Sequence, residues 1–271
     1  MTIDQSLPSL RLLPGIRPTT WTPWLFAMAV AAVPLAFAAD PSPAAAPPPP
    51  NPLVIDRSKT ALIVVDMQND FGAKGGMFDQ LGIDRSGIQQ AVAPTARVIA
   101  AAHQAGIKVI YLKMAFRPDL SDAGPDDSPN RIGHLRAGAG KPVRAPDGTE
   151  SRILIRDTWN TAVLDALKPA PGDLQIYKHR FSGFFETDLN AVLKGLGIRQ
   201  LIVTGCTTSV CVESTIRDAM FLDYTCVLLS DCTAEPVGSN YSRSNYDASL
   251  LLIRTRLGGT VSDSESFLKA L

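Results

Sequence analysis

The stretch RQLIVTGCTTSVCVESTIRDAMFL, residues 199–222, describes a strand, a tight turn and a helix in direct succession. The apolar run 199–204 predicts a buried strand, the turn follows at 205–210, and helical periodicity covers 211–222. Cys211 therefore stands where a helix begins. Unpaired N–H groups and the helix dipole favour a thiolate there, which is the nucleophilic form of cysteine, and the same N–H groups can hold an oxyanion.

The same alternation of buried strands and helices continues on both sides of this stretch. Further strands are predicted at 60–66, 107–113, 174–178, 224–230 and 260–261, and further helices at 88–104, 161–167, 188–194, 239–256 and 264–270. Short apolar strands separated by helices predict a parallel sheet and an α/β fold. Ligands of such sheets bind beyond the carboxyl ends of the strands.

Two charged residues close strands of this predicted sheet. Asp66 follows TALIVV at 60–65, and Lys178 closes LQIYK at 174–178. Because the carboxyl ends of parallel strands meet at one edge, we expect Asp66, Lys178 and Cys211 to lie close together. Taken one at a time, the aspartate could instead cap a helix or bind a metal, the lysine could be solvated, and the cysteine could simply pack in its helix.

The first 52 residues have a composition unlike the rest of the chain. Arginines precede an uncharged run at 24–38 that ends in Ala-Phe-Ala, which is typical of a secretory signal peptide over residues 1–38. An uncleaved anchor, a wrongly assigned start and plain disorder are the alternatives. The run is shorter than the roughly 20 residues of a spanning helix. We therefore predict a periplasmic or secreted protein without a stable membrane span after cleavage, with a cytoplasmic protein as the alternative.

A spacer and one folded domain follow this segment. Residues 39–52 are rich in proline and alanine, which predicts an extended linker, and residues 53–271 have the size of a single domain. Lys and Arg together number 26, as do Asp and Glu, and no basic stripe stands out. This balance disfavours nucleic acid as a partner and favours a small molecule.

Four cysteines lie between residues 206 and 232 without the paired spacing of a zinc site. Cys206 and Cys226 are predicted to be small buried residues, and the state of Cys232 is left open. The segment 115–157 is too long for an ordinary connection and is rich in Pro, Gly, Asp and Arg. It follows a strand end and contains His134 with two nearby arginines, so we interpret it as a lid or an interface loop.

Three motifs resemble the isochorismatase-like cysteine hydrolases, over roughly residues 53–271. They are ALIVVDMQNDF at 61–71, YKHRFSGFFETDL at 177–189 and GCTTSVCVESTIRDAMFLDY at 205–224. The latter two look most like ureidoacrylate amidohydrolases, and the turn GCTTS is also similar to the N-carbamoylsarcosine amidases. The resemblance implies a three-layer α/β/α fold with a mainly parallel, Rossmann-like sheet.

The resemblance also implies a catalytic triad of Asp66, Lys178 and Cys211. It further implies a cis peptide bond between Cys206 and Thr207, which turns the Thr207 amide toward an oxyanion that the Cys211 amide also binds. The implied activity is cleavage of a C–N bond in a small ureido, carbamoyl or amide compound through a covalent thiol intermediate. Export would weaken ureidoacrylate as the exact substrate, because pyrimidine breakdown is expected in the cytoplasm.

Four residues are candidates for the substrate pocket. Phe71, Trp159 and Phe181 are aromatic residues that could line an apolar pocket, although aromatic residues beside loops more often belong to the core. Gln68 could bridge backbone groups near Asp66 or only shape the turn.

No metal and no cofactor are predicted. The segment after the second strand lacks the Asp-x-His cluster of nicotinamidases, and the three histidines of the chain show no ligand spacing. The resemblance implies a homo-oligomer of undetermined size. Two alternatives remain: a vinyl ether hydrolase of the isochorismatase type, which does not need the thiol, and a non-catalytic binding module.

Overall fold

The structure is a computed structural model that describes residues 53–238 and 244–271. The predicted signal peptide and the predicted linker lie outside the described residues, as does the start of the helix predicted at 239–256. Within the described ranges, no helix is both long and apolar enough to cross a membrane.

The centre of the fold is a parallel sheet. In chain order the strands of the described residues are β1 (Thr60–Val65), β2 (Lys108–Met114), β3 (Pro142–Arg144), β4 (Glu150–Arg152), β5 (Leu174–Lys178), β6 (Gln200–Cys206), β7 (Thr225–Ala234) and β8 (Thr260–Ser262). The sheet has the order β5-β2-β1-β6-β7-β8, and all its neighbouring strands run parallel. The strands β3 and β4 form a separate antiparallel hairpin.

Helices cover both faces of this sheet. They are α1 (Asn69–Gly72), α2 (Met77–Gln80), α3 (Ser86–Gln104), α4 (Pro129–Arg136), α5 (Leu189–Gly195), α6 (Glu213–Phe221), α7 (Asn245–Thr255) and α8 (Ser264–Ala270). Helices α3 and α8 pack into the apolar core of one face, whereas α5, α6 and α7 contribute to the core of the other. The predicted three-layer α/β/α fold with a Rossmann-like sheet is confirmed.

The surroundings of the central strand β1 explain why its apolar residues do not alternate with polar ones. All six of its residues are buried. Leu62 and Val64 point into one core, and Ile63 and Val65 point into the other. A strand covered by helices on both faces needs apolar side chains on both, which gives a continuous hydrophobic run.

The sheet order places a topological switch beside β1. From β1 the chain moves outward through β2 to β5 on one side, then returns to β6 on the other side and continues to β7 and β8. A crevice opens at the carboxyl ends of the strands at such a point, and ligands of open α/β sheets bind there.

Close contact between β1 and β6 depends on a glycine. Gly205 has a φ of +113°, and a Cβ atom built on it would lie 2.0 Å from the carbonyl oxygen of Val65. Only glycine adopts this backbone conformation without strain and leaves room for the neighbouring strand. The strand that leads to Cys211 can therefore approach the strand that leads to Asp66.

Two predicted helices differ from the structure. The helix predicted at 161–167 is replaced by two 3-10 turns, Trp159–Thr161 and Asp165–Leu167. The intervening residues are held extended, because Val163 bridges to Gln68 and the N–H of Leu164 donates to the carbonyl of Met67. Tertiary pairing thus outweighs local helical preference.

The helix predicted at 211–222 begins differently. A π-helical turn, Thr208–Val212, precedes α6 and contains Cys211. The cysteine consequently sits inside a widened first turn rather than at the start of a regular helix.

The long segment 115–157 is ordered by contacts with the sheet region. It contains α4 and the β3–β4 hairpin. The end of the segment lies beside its start, because the N–H of Phe116 donates to the carbonyl of Leu154. The buried carboxylate of Asp70 accepts hydrogen bonds from the N–H of Leu154 at 2.7 Å and from the N–H of Met77 at 3.0 Å. One aspartate therefore links this segment to the region after β1.

Candidate active site

Asp66 lies directly after β1 in a left-handed backbone conformation, with a φ of 52°. This conformation is uncommon outside glycine. The side chain is fully buried, and its Oδ1 accepts a hydrogen bond of 2.8 Å from the N–H of Met114 at the end of β2. The carboxylate is thus fixed at the carboxyl ends of two adjacent strands.

Lys178 is the last residue of β5 and is fully buried. Its long side chain passes the end of β2, which separates β5 from β1, and its Nζ lies 2.7 Å from Oδ2 of Asp66. Burial acts to lower the pKa of Lys178, but the Asp66 carboxylate and the Cys211 side chain together oppose it, and the net shift is upward. The side chain is therefore a cation, and the two groups form a buried ion pair.

The thiol of Cys211 lies within hydrogen-bonding reach of both Asp66 and Lys178. Burial raises the pKa of this thiol, Lys178 opposes the rise, and Asp66 adds to it. The expectation of a resting thiolate therefore does not hold in the free protein. The reason is that Asp66 neutralises the charge of Lys178, so that burial dominates.

Hydrogen bonds from the end of β7 and the residue after it hold the turn that carries Cys211. Oγ1 of Thr208 is 2.8 Å from Oγ1 of Thr233, and the Glu235 carboxylate accepts hydrogen bonds of 2.7 and 2.6 Å from the N–H and hydroxyl of Ser209. The peptide bond between Cys206 and Thr207 is cis, as the family resemblance implies.

A cavity of about 750 Å³ opens over this turn. It has a mainly apolar wall, and Cys211 and Thr207 both reach it. The wall is formed by Phe71, Met77, Phe78, Met114, Pro129, Asn130, Gly133, His134, Ala137, Leu154, Arg180, Phe181, Ser182, Phe185, Thr207, Val210, Cys211, Ser214, Arg217, Asp218 and Val237. The segment 115–157 contributes several of these residues, a position compatible with both predicted roles, a lid and an interface loop.

Two of the four predicted pocket residues line this cavity. Phe71 and Phe181 belong to its wall, whereas Gln68 and Trp159 do not. The amide of Gln68 is buried and used by the backbone: it donates to the carbonyls of Met114 and Thr161 and accepts from the N–H of Met114. It bridges backbone groups, which was one of its two predicted roles.

Trp159 is drawn away from the cavity by the 3-10 turn that contains it. Its ring approaches Gly75, and its carbonyl accepts a hydrogen bond of 2.8 Å from the side chain of Asn69. The prediction of Trp159 as a pocket residue is corrected accordingly.

Several wall residues were not identified from the sequence. Val210, Ser214 and Arg217 follow helical spacing around Cys211, so periodicity could have placed them on one face. Arg180 and Phe185 lie in the motif that contains Lys178. No sequence pattern identifies Met77 and Phe78 as wall residues, because they reach the wall only through the packing of α2.

The cysteines that do not line the cavity are buried, and two of the histidines lie beside carboxylates. Cys206, Cys226 and Cys232 are all buried free thiols, which confirms the prediction for the first two. His103 is exposed and lies 2.8 Å from Asp173, and His179 lies 3.1 Å from Glu186. Across residues 53–238 and 244–271, no three His, Cys, Asp or Glu side chains are grouped to hold a metal ion.

These features define an α/β protein in which a buried thiol, carboxylate and ammonium meet at the switch point of a parallel sheet, beside a cavity. Residues 60–266 match the Isochorismatase domain model. The ureidoacrylate amidohydrolase RutB of Variovorax paradoxus is 40% identical over 205 residues, which cover 76% of this chain and 80% of that protein. The chain belongs to the isochorismatase family of hydrolases.

Solved structures agree with this assignment. A cysteine hydrolase from Pseudomonas syringae superposes with a TM-score of 0.66 at 31% identity, covering 81% of this chain and 97% of that one. An N-carbamoylsarcosine amidase from Thermoplasma acidophilum gives a TM-score of 0.55 at 25% identity, covering 76% and 97%.

Proposed function

We propose that the protein is a cysteine-dependent amidohydrolase that cleaves a C–N bond of a small ureido, carbamoyl or amide compound. The observation that carries this proposal is the thiol of Cys211, at the cavity wall and within reach of the Asp66–Lys178 pair. Covalent hydrolysis requires a nucleophile and a base that activates it. A fixed positive charge beside a thiol favours its thiolate. The names of the relatives, an amidohydrolase and a carbamoyl amidase, support the same class of bond.

The first half of the proposed reaction forms a covalent intermediate. Asp66 takes the proton of the Cys211 thiol as Sγ attacks the carbonyl carbon, and the carbonyl oxygen becomes an oxyanion that the backbone N–H groups of Thr207 and Cys211 hold. The C–N bond then breaks, and the proton on Asp66 passes to the leaving nitrogen. Ammonia or an amine departs and leaves a thioester or thiocarbamate on Sγ.

The second half releases the product. Asp66, again ionised, removes a proton from a water molecule that attacks the carbonyl carbon of the intermediate. The C–S bond breaks, and the proton on Asp66 returns to Sγ. Throughout both halves Lys178 keeps its charge, which orients the carboxylate and favours the transient thiolate.

Cys211→Ala tests this assignment. We expect it to lower ammonia release by at least about 10³-fold, because the covalent path loses its nucleophile. The assay covers ureidoacrylate, biuret, N-carbamoyl amino acids, nicotinamide and simple amides. Cys226→Ala is the matched control, since Cys226 is a buried thiol on β7 outside the cavity wall.

The opposite result would identify the alternative chemistry. Full activity of Cys211→Ala toward a vinyl ether substrate would indicate the isochorismatase type of reaction, which does not need the thiol. A folded wild type that binds a compound from the panel without turnover of any substrate would indicate a binding module.

Two further properties belong to the same proposal. The composition of residues 1–38 supports export to the periplasm or the medium. A homo-oligomer is supported by exposed apolar side chains near the cavity, since Leu135, Phe181 and Phe185 are each more than two fifths exposed. Apolar surface of this kind is a common feature of interfaces.

A further inference from the structure

His134 lies on α4 and reaches the cavity wall from the lid segment. Its ring packs edge-on against Phe116, with a centroid distance of 5.1 Å, and is tilted against Phe181 at 5.5 Å. The two aromatic neighbours fix the plane of the imidazole. The imidazole of His134 is thus held rigidly in the mainly apolar wall of the cavity.

The hydrogen bond of this ring determines its tautomer. Nδ1 lies 2.7 Å from the carbonyl oxygen of Asn130. A carbonyl oxygen can only accept, so Nδ1 carries the proton, and the Nε2 of a neutral ring then carries a lone pair. Among the residues that the structure describes, none makes a hydrogen bond to Nε2.

The surroundings keep the ring neutral. Burial lowers the pKa of His134, and the positive charges of Lys178 and Arg180 act in the same direction. The hydrogen bond to Asn130 and the charge of Asp66 oppose this shift without reversing it. His134 and Cys211 line the same cavity, so the neutral ring and the thiol face one shared space.

Among the polar side chains of the cavity wall, those of Asn130, Ser182, Thr207 and Ser214 carry donors as well as acceptors, whereas the neutral ring of His134, with Nδ1 engaged, presents only a lone pair. The carboxylate of Asp66 is held by Lys178 and by the N–H of Met114, while the Arg180 guanidinium can only donate. A ureido or amide group carries N–H donors beside its carbonyl, and these donors need an acceptor when water is displaced. Asp218 also carries acceptors without donors, but it lies seven residues along from Cys211, about 10 Å on a helix.

We propose that Nε2 of His134 accepts a hydrogen bond from an N–H of the substrate, so that His134 selects ureido and amide compounds over substrates without N–H. This inference rests on the proposed amidohydrolase function and identifies a specificity determinant within it. Esters and vinyl ethers of the same shape would leave the lone pair without a partner.

The test compares His134→Phe with His134→Gln on three compounds. They are the best ureido substrate of the panel, its analogue with oxygen in place of the internal N–H, and its N,N-dimethyl analogue, which lacks the N–H groups of the leaving nitrogen. We expect His134→Phe to lower kcat/KM for the ureido compound about tenfold, as the loss of one hydrogen bond predicts. The effect disappears with the analogue that lacks the contacted N–H.

The conservative variant and a control separate recognition from packing. Gln places an oxygen acceptor near the position of Nε2, so His134→Gln retains most of the activity that His134→Phe loses. The same two changes at His103, which is exposed on α3, leave kcat/KM unchanged. Equal loss with all three compounds, or equal loss in both His134 variants, would show a packing role and overturn the proposal.

The pH profile supplies a second readout. Protonation of Nε2 turns the acceptor into a donor, so kcat/KM of the wild type falls as pH decreases through the pKa of His134, which lies below its ordinary value of 6.5. His134→Gln lacks this limb, and persistence of the limb in that variant contradicts the proposal. Failure of the underlying function is recognised separately, since Cys211→Ala would then keep its activity.

Discussion

At Cys211, reactivity depends on a balance of charges inside a buried group. The thiol has an ammonium on one side and a carboxylate on the other, and these two neutralise each other. Burial consequently keeps the proton on sulfur in the free protein, and in the proposed mechanism the Asp66 carboxylate removes it during attack. If the proton leaves sulfur for Asp66 only during attack, no lasting thiolate is present for oxidants to attack.

Alkylation by iodoacetamide tests this balance. We expect the wild-type Cys211 to react more slowly at pH 7 than a free cysteine, with a rate that keeps rising at alkaline pH, because burial raises its pKa. Asp66→Asn leaves the charge of Lys178 without its counter-charge, so the rate curve of that variant shifts to lower pH. Mass spectrometry of the peptide that contains Cys211 measures both rates.

A plateau in the wild-type rate below pH 7 would contradict this prediction, since it would show that the thiolate is the resting form. Cys226 serves as an internal reference within the same digest, because it is also buried and has no charged partner.

At the scale of elements, the site depends on how closely β1 and β6 approach each other. The two strands carry Asp66 and the turn of Cys211 at their ends. Their contact leaves no space for a side chain at Gly205. Any change that separates the strands would also separate the carboxylate from the thiol.

Gly205→Ala should destabilise the protein by about 3 kcal/mol or more, because a Cβ there both meets the Val65 carbonyl and strains the backbone. Gly195→Ala is the matched control: this glycine ends α5, and a Cβ on it would meet nothing within 4 Å. We expect the control to change stability by about 1 kcal/mol at most. Urea denaturation followed by circular dichroism compares the two, and equal stabilities would refute the steric argument.

The sequence predicts elements well where local pattern and packing agree. The strand before Asp66 is apolar throughout and ends in a charged residue, so both its boundaries and its burial could be predicted. The stretch 161–167 could not, because its extended centre is imposed by pairing with residues far away in sequence. Asp66 and Lys178 could be predicted from strand ends and Cys211 from the turn after a strand. The cavity wall depends on how α2 and α4 pack, which periodicity does not encode.

At the scale of the whole molecule, the sequence predicts a folded domain from residue 53, a linker at 39–52, and a signal peptide at 1–38 that is removed during export. Intact-mass measurement of the protein from the producing cells tests this. We expect a mature chain that starts at Ala39, because the Ala-Phe-Ala sequence before it has the small residues of a cleavage site. A chain that retains residue 1 or 2 would contradict the predicted export.

The complete burial of the Lys178–Asp66 pair also determines how the enzyme responds to ionic strength. Dissolved ions screen charges that water surrounds, within a Debye length of about 8 Å at physiological salt. They cannot surround a pair whose side chains are at most 1% exposed. The chemical step should therefore be insensitive to salt, and any salt dependence of the overall rate would arise from part-exposed charges of the cavity wall such as Arg180 and Arg217.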